Sequence, residues 1–166
     1  DELGVLPPGD VRKTLVALSE SPKVRDLFSY RFEEGSLQGH TFGNLFLAAL
    51  EKMTGNFAEA VETATEVLDI VGQVVPITLD NVQLIIEWPD GTQERGQGTI
   101  DRMRFAAQKG KPALRLEPAA RINPDAAQAI GGADLVVVSA GDVYTSIGPS
   151  FAVQGVSQAL QSTPAP

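Results

Sequence analysis

The chain has 166 residues, no cysteine and a formal net charge of -8, with 43% hydrophobic and 20% charged residues. This composition suits one soluble globular core and excludes a disulfide framework, a cysteine zinc site and a thiol nucleophile. The basic residues are scattered along an acidic chain, which argues against nucleic-acid or anionic-membrane partners. No apolar run approaches the roughly 20 residues that cross a bilayer, so the expected location is the cytoplasm. The chain starts at Asp1, within what reads as a turn region, so its natural beginning is expected upstream.

The first half reads as helical. After Pro7-Pro8-Gly9-Asp10, the segment Val11 to Glu20 carries Val11, Leu15, Val16 and Leu18 on one stripe, with Asp10 as the expected cap. Ser21-Pro22 breaks it and opens a second helix whose stripe is Val24, Leu27, Phe28 and Phe32. The stretch EEGSLQG is a loop. A third helix is expected from about Phe42 to Met53, ended by Gly55, and a fourth follows from the cap Asn56 with Phe57, Ala60, Val61, Ala64 and Leu68 on one face.

From Gly72 the pattern turns to short β-rich runs. VVPITL and VQLIIEW read as strands. Pro89-Asp90-Gly91 closes a hairpin over residues 82–98, and ALRLEP is a further strand. NPDAAQAIGG is a short capped helix. The uninterrupted run Leu135 to Val138 reads as an interior strand covered on both faces, the habit of parallel α/β sheets. Val153 to Leu160 is a last helix, and QSTPAP a frayed tail. The expected fold is a single α/β domain over residues 1–166, with a mainly parallel sheet flanked by helices and a small β-hairpin.

No phosphate loop, dinucleotide-binding glycine fingerprint, nucleophile elbow or zinc helix is present, and no metal site is expected. Three polar clusters remain. In the first, Gly9 allows close approach, and Arg12 and Lys13 stand in a first helical turn where cations cost a few tenths of a kcal/mol, up to about 1, unless an anion offsets them. Asp10 is one such anion and a bound phosphate another. The second cluster holds the only histidine, His40, with Thr41 as helix cap and Asn44 at the third helical position, between Gly39 and Gly43. A lone histidine is more often structural than catalytic, but flanking glycines permit a substrate to come near. In the third, Gly141, Asp142, Tyr144, Thr145 and Ser146 follow the expected buried strand, where open α/β sheets bind ligands; Asp142 would also serve as a plain helix cap.

Taken in order, ELGVLPPGDVRKTLVAL, YRFEEG, GHTFGNLFLAAL and AGDVYTSIGPSF resemble the YvcK-like proteins, also called gluconeogenesis factors. These are relatives of CofD, the 2-phospho-L-lactate transferase of deazaflavin coenzyme synthesis. The resemblance implies a Rossmann-like three-layer α/β sandwich that binds a phosphorylated small molecule of the nucleotide-sugar type, a UDP-sugar; it fixes no cofactor. It also implies links to carbon metabolism and to cell-shape or cell-wall control. The family motifs fall on Pro7, Pro8, Gly9, Asp10 and Arg12, on Gly39, His40, Phe42, Gly43 and Asn44, and on Gly141, Tyr144, Thr145 and Ser146. With Thr41, these supply the expected ligand contacts. Lys13 stands where the family usually has Asn, and Ser139-Ala140-Gly141-Asp142 where it usually has Gly-Pro-Gly-Ser. Family members are about twice this length, so the chain is expected to be incomplete at both ends. The leading expectation is a nucleotide-sugar-binding regulatory protein with no demonstrated catalysis. The alternatives are a CofD-like transferase acting on a deazaflavin and a protein-binding scaffold, and a homo-oligomer is compatible with each.

Overall fold

The structure, a computed structural model, describes residues 5, 6, 8–100 and 110–166. The chain divides into two compact units, Asp1–Pro76 and Ile77–Pro166.

The first unit is helical: α1 (Gly9–Leu18), α2 (Pro22–Ser29), α3 (Phe42–Thr54) and α4 (Phe57–Val67). Its ends are set by local chemistry. Ser21 accepts from the Val24 N–H with Pro22 in the first turn, Thr41 accepts from the Asn44 N–H, and Asn56 accepts from the Ala58 N–H. Gly55 ends α3 at φ 73°, a left-handed conformation that a Cβ would oppose. The stripes converge on a core of Leu15, Phe28, Leu47, Leu50, Ala60, Ala64 and Leu68. Phe28 meets the rings of Phe42 and Phe46 edge-on at 5.6 and 5.0 Å, the arrangement favoured by opposite partial charges on ring face and edge. Leu15 and Leu47 are fully buried, which stabilises the unit by about 1.5–3 kcal/mol for each side chain.

The loop between α2 and α3 is a narrow ladder. Phe42 N–H donates to Tyr30 O, Phe32 N–H to His40 O and Gly39 N–H to Phe32 O. Arg31 Nη1 also donates to the Gly39 carbonyl. Gly39, at φ 85°, makes the turn that delivers the chain to Thr41.

The second unit contains β1 (Gln83–Glu87), β2 (Gln93–Arg95), α5 (Gln97–Ile100), β3 (Ala113–Glu117), α6 (Pro124–Gly131), a π-helical turn (Val143–Ile147), α7 (Gly148–Ala152) and α8 (Val156–Ser162). The sheet order is β2-β1-β3 and both pairings are antiparallel, with Ile85 opposite Arg95 and Arg115. The β1–β2 hairpin closes through Trp88 N–H to Thr92 O and Gly91 N–H to Trp88 O, both 2.9 Å. Asp90 accepts from the Thr92 N–H and hydroxyl. Leu84, Ile86, Trp88 and Ile100 form one core cluster, and Ala120, Val153 and Val156 another.

Four expectations need correction here. The mainly parallel sheet is not seen among the described residues, where the one sheet is three-stranded and antiparallel. VVPITL forms no strand, because Pro76 offers no N–H to a ladder; Ile77 instead accepts from the Asn123 N–H through its carbonyl. Leu135–Val138 is neither strand nor interior: Leu135, Val137 and Val138 are 62%, 75% and 59% exposed. Strand propensity becomes a strand only where another strand completes the ladder, and the described residues supply none for this run. The tail expected to fray is bonded, since the Pro166 carbonyl accepts from the Val136 N–H at 3.0 Å.

Candidate functional site

The first unit brings Gly9, Asp10, Arg12, His40, Thr41, Gly43 and Asn44 onto the start of α1 and the start of α3. Pro7 lies outside the described residues. Helix α1 begins earlier than the sequence suggests, at Gly9, with Pro8 in the cap position and no side-chain cap. Asp10 is therefore not the cap. It lies in the first turn, where its carboxylate accepts from Lys13 Nζ at 3.0 Å, both side chains being about 70% exposed. Such an i,i+3 pair contributes only a few tenths of a kcal/mol, but it offsets the Lys13 charge at the positive end of the helix.

Arg12 is placed differently. Its aliphatic stem lies on the backbone of α3, so that a Cβ on Gly43 would sit 2.9 Å from Arg12 Cγ and Cδ and 2.8 Å from the Phe28 carbonyl oxygen. Only glycine lets the two helices approach this closely. The Arg12 Nε is buried and has no hydrogen-bond partner among the described residues. Asn44, the next residue of α3, has a buried Oδ1 in the same condition. Buried polar groups are nearly always satisfied, and leaving one unmet costs about 1–3 kcal/mol, more when it is charged. Thr41 is buried and caps α3, while His40 is exposed and its backbone closes the ladder to Phe32.

The close approach at Gly43 makes a direct prediction. Gly43→Ala should destabilise the protein by about 1–2 kcal/mol, because overpacking of about 1–3 kcal/mol outweighs a gain of about 1 kcal/mol in helix propensity. Gly9→Ala, where an added Cβ meets nothing within 4 Å, should be neutral or stabilising. Urea denaturation of both variants checks the contrast.

The second unit holds Gly141, Tyr144, Thr145 and Ser146, and here Asp142 organises the chain. Its Oδ1 accepts from Tyr144 N–H (2.8 Å), Thr145 N–H (2.9 Å) and Thr145 Oγ1 (3.1 Å). The Thr145 and Tyr144 backbone donors hold its carboxyl below the usual value of 3.8. The Tyr144 ring packs against the Leu84–Trp88 cluster, and Thr145 is buried with its carbonyl accepting from Gln97 Nε2 at 3.2 Å. Gly141 approaches Ser146, since a Cβ there would lie 3.1 Å from Ser146 Cβ.

A depressed carboxyl stabilises the fold above its unfolded value, and that contribution disappears as pH falls through the lower folded value. Asp142→Ala should therefore cost about 1 kcal/mol at neutral pH. Wild type and variant should converge in stability only below pH 3.8, as denaturation measured against pH will show.

Sequence reasoning missed Arg31, which ties the Gly39 carbonyl in front of His40, and Gln97, which holds the Thr145 carbonyl. The tyrosine-arginine pair in YRFEEG was a signal for the first; nothing local marked the second. Among the described residues no three His, Asp or Glu side chains gather as metal ligands, and no helix is long and apolar enough to cross a membrane.

The sequence pattern of the 2-phospho-L-lactate transferase CofD family matches residues 1–166. The chain belongs to the CofD family. Within it, the chain is similar to the gluconeogenesis factor of Bacillus subtilis (strain 168), at 37% identity over 167 residues, 99% of this chain and 52% of that protein. The gluconeogenesis factor of Halalkalibacterium halodurans is 37% identical over 166 residues, again 99% of this chain and 51% of its own length. A crystal structure of a Bacillus halodurans protein matches with a TM-score of 0.90 and 38% identity, covering 99% of this chain and 52% of that one. This CofD-family chain thus spans about half the length of these relatives.

Proposed function

We propose that this chain carries part of the binding site of a cytoplasmic regulatory protein of the gluconeogenesis-factor type, which takes a phosphorylated small molecule, a UDP-sugar, and couples its level to carbon metabolism and cell-wall or cell-shape control. One observation carries the reading: the guanidinium of Arg12, in the first turn of α1, is held by its stem against Gly43 with its Nε unmet. Free N–H groups and a cation at a helix start favour an anion, and a planar guanidinium suits phosphate oxygens. Asn44, His40 and Thr41 on the neighbouring helix start, with Gly9 and Asp10 on α1, supply polar groups for the rest of the ligand. Gly141, Tyr144, Thr145 and Ser146, in the second unit, form a separate candidate contact set that rests on their family motif alone.

A second reading is favoured by the family match over residues 1–166: a transferase moving a phospholactyl-type group onto a deazaflavin. Thermal shift with UDP-glucose, UDP-N-acetylglucosamine, UDP and inorganic phosphate tests the first reading. A ligand at 100 times its Kd should stabilise by about 2.7 kcal/mol. Transfer to a deazaflavin acceptor would favour the second. Stabilisation by none of these ligands, with no transfer, would leave a protein-binding scaffold.

A further inference from the structure

The rings of the motif YRFEEG have no part in the site around Arg12, yet the ladder sets them out in order. Arg31 stands opposite Thr41 in an antiparallel bridge, with Phe42 N–H donating to Tyr30 O at 2.8 Å and Phe32 N–H to His40 O at 2.9 Å. In that register Phe32 lies opposite His40 and Tyr30 opposite Phe42, and residues directly opposite carry their side chains on one face. The Tyr30 and Phe32 rings meet on that face edge-on, with centroids 5.2 Å apart. Phe42 turns its ring to Phe28 and the core. Tyr30 is 54% exposed, Phe32 is half-buried and His40 is exposed. Arg31 and Thr41 belong to the other face, where Thr41 caps α3 and Arg31 Nη1 ties the Gly39 carbonyl.

We propose, resting on the reading of Arg12 given above, that Tyr30, Phe32 and His40 form a stacking platform for the base of a nucleotide whose phosphate Arg12 receives. The platform is continuous with the Arg12 site. His40 precedes Gly43 by three residues, so their Cα atoms are at most about 11 Å apart, and Gly43 carries the stem of Arg12. A nucleotide has a flat ring and an anion on either side of one ribose, and so has a group for each place. Stacking on an aromatic face accepts any base, while the Tyr30 hydroxyl and the His40 nitrogens offer donors and acceptors to a base's polar edge. Glu33 and Glu34 follow directly on Phe32, and their charges repel a nucleic-acid strand or an anionic lipid surface but leave a neutral base free to stack. A protein partner would need about 800 Å² from each side, well beyond three partly covered rings.

The test uses the single histidine, whose imidazole protons give isolated NMR signals. The 166-residue chain is titrated with UDP and with pyrophosphate, which carries the anion without the base. UDP should move the His40 signals by ring current, and pyrophosphate should leave them in place. In calorimetry, Tyr30→Leu should weaken UDP binding by about tenfold or more and pyrophosphate binding by less than about twofold, whereas Tyr30→Phe, which keeps the ring, should stay within about threefold of wild type. Tyr30 is largely exposed, so these variants should keep the helical dichroism of the wild type. Unchanged UDP affinity in Tyr30→Leu, together with weakened UDP affinity in Arg12→Met, would overturn the platform and leave the anion site standing. Equal losses of UDP and pyrophosphate in Tyr30→Leu would also overturn it, in favour of a structural role for the ring. Binding of neither ligand by the wild type would overturn the platform and the reading of Arg12 together.

Discussion

Leu47→Ala should lower stability by about 2–5 kcal/mol, the range for removing a fully buried leucine and leaving a cavity. Leu47 has no exposed surface and sits in the cluster that joins the helices of the first unit, beside Leu15, Phe28 and Leu50. A unit of this size has little stability in reserve, and each kcal/mol corresponds to about 4–8 °C in a domain of roughly 60–100 residues. The expected result is a drop of at least about 10 °C in the helical melting transition followed by circular dichroism. A change of only a few degrees would mean that the four helices do not depend on this cluster. The single tryptophan, Trp88, belongs to the second unit, so its fluorescence records that unit while dichroism weights the helices.

Why the helical half was readable and much of the remainder was not follows from where the information resides. A helix is specified within one stretch of chain. Leu45, Phe46 and Leu50 recur at helical spacing, Thr41 and Asn56 stand where caps are needed, and Gly55 permits the left-handed exit; each of these did in the fold what its neighbours in sequence suggested. The exception, Asp10, failed because Pro8 and Gly9 admit the helix earlier, which moves the carboxylate from the cap into the first turn. A strand depends on a partner far away in sequence. Gln83–Glu87 finds two and pairs on both sides, whereas Leu135–Val138, with stronger apolar character, finds none among the described residues and stays exposed. Propensity alone could not separate the two.

The candidate site divides in the same way. That polar residues gather at the starts of α1 and α3 was legible from motifs. That Gly43 exists to receive the stem of Arg12, and that Arg12 Nε and Asn44 Oδ1 are left unmet, was not, because it depends on the packing of one helix on another. The two cations of α1 separate physically for the same reason. Lys13 turns to Asp10 in the open, and Arg12 is drawn inward.

Loss of the Arg12 guanidinium should therefore weaken ligand binding by about 1.5–3 kcal/mol, the cost of one charge-assisted hydrogen bond, or about one to two decades in Kd. Arg12→Met is the sharper substitution, because it keeps an apolar stem against Gly43 while removing the donors. Arg12→Lys retains the charge without the planar fork and should fall between the two. Lys13→Met, which removes a cation already paired with Asp10, should leave affinity nearly unchanged.

The central claim, that Arg12 receives the anionic part of a phosphorylated ligand, is tested most directly by calorimetric titration of wild type, Arg12→Met and Lys13→Met with UDP-N-acetylglucosamine and UDP-glucose. The account predicts saturable binding by the wild type, about a ten- to hundredfold weaker Kd in Arg12→Met with helix content preserved, and near-equality of wild type and Lys13→Met. Equal affinity in wild type and Arg12→Met, or no binding by the wild type, would contradict it.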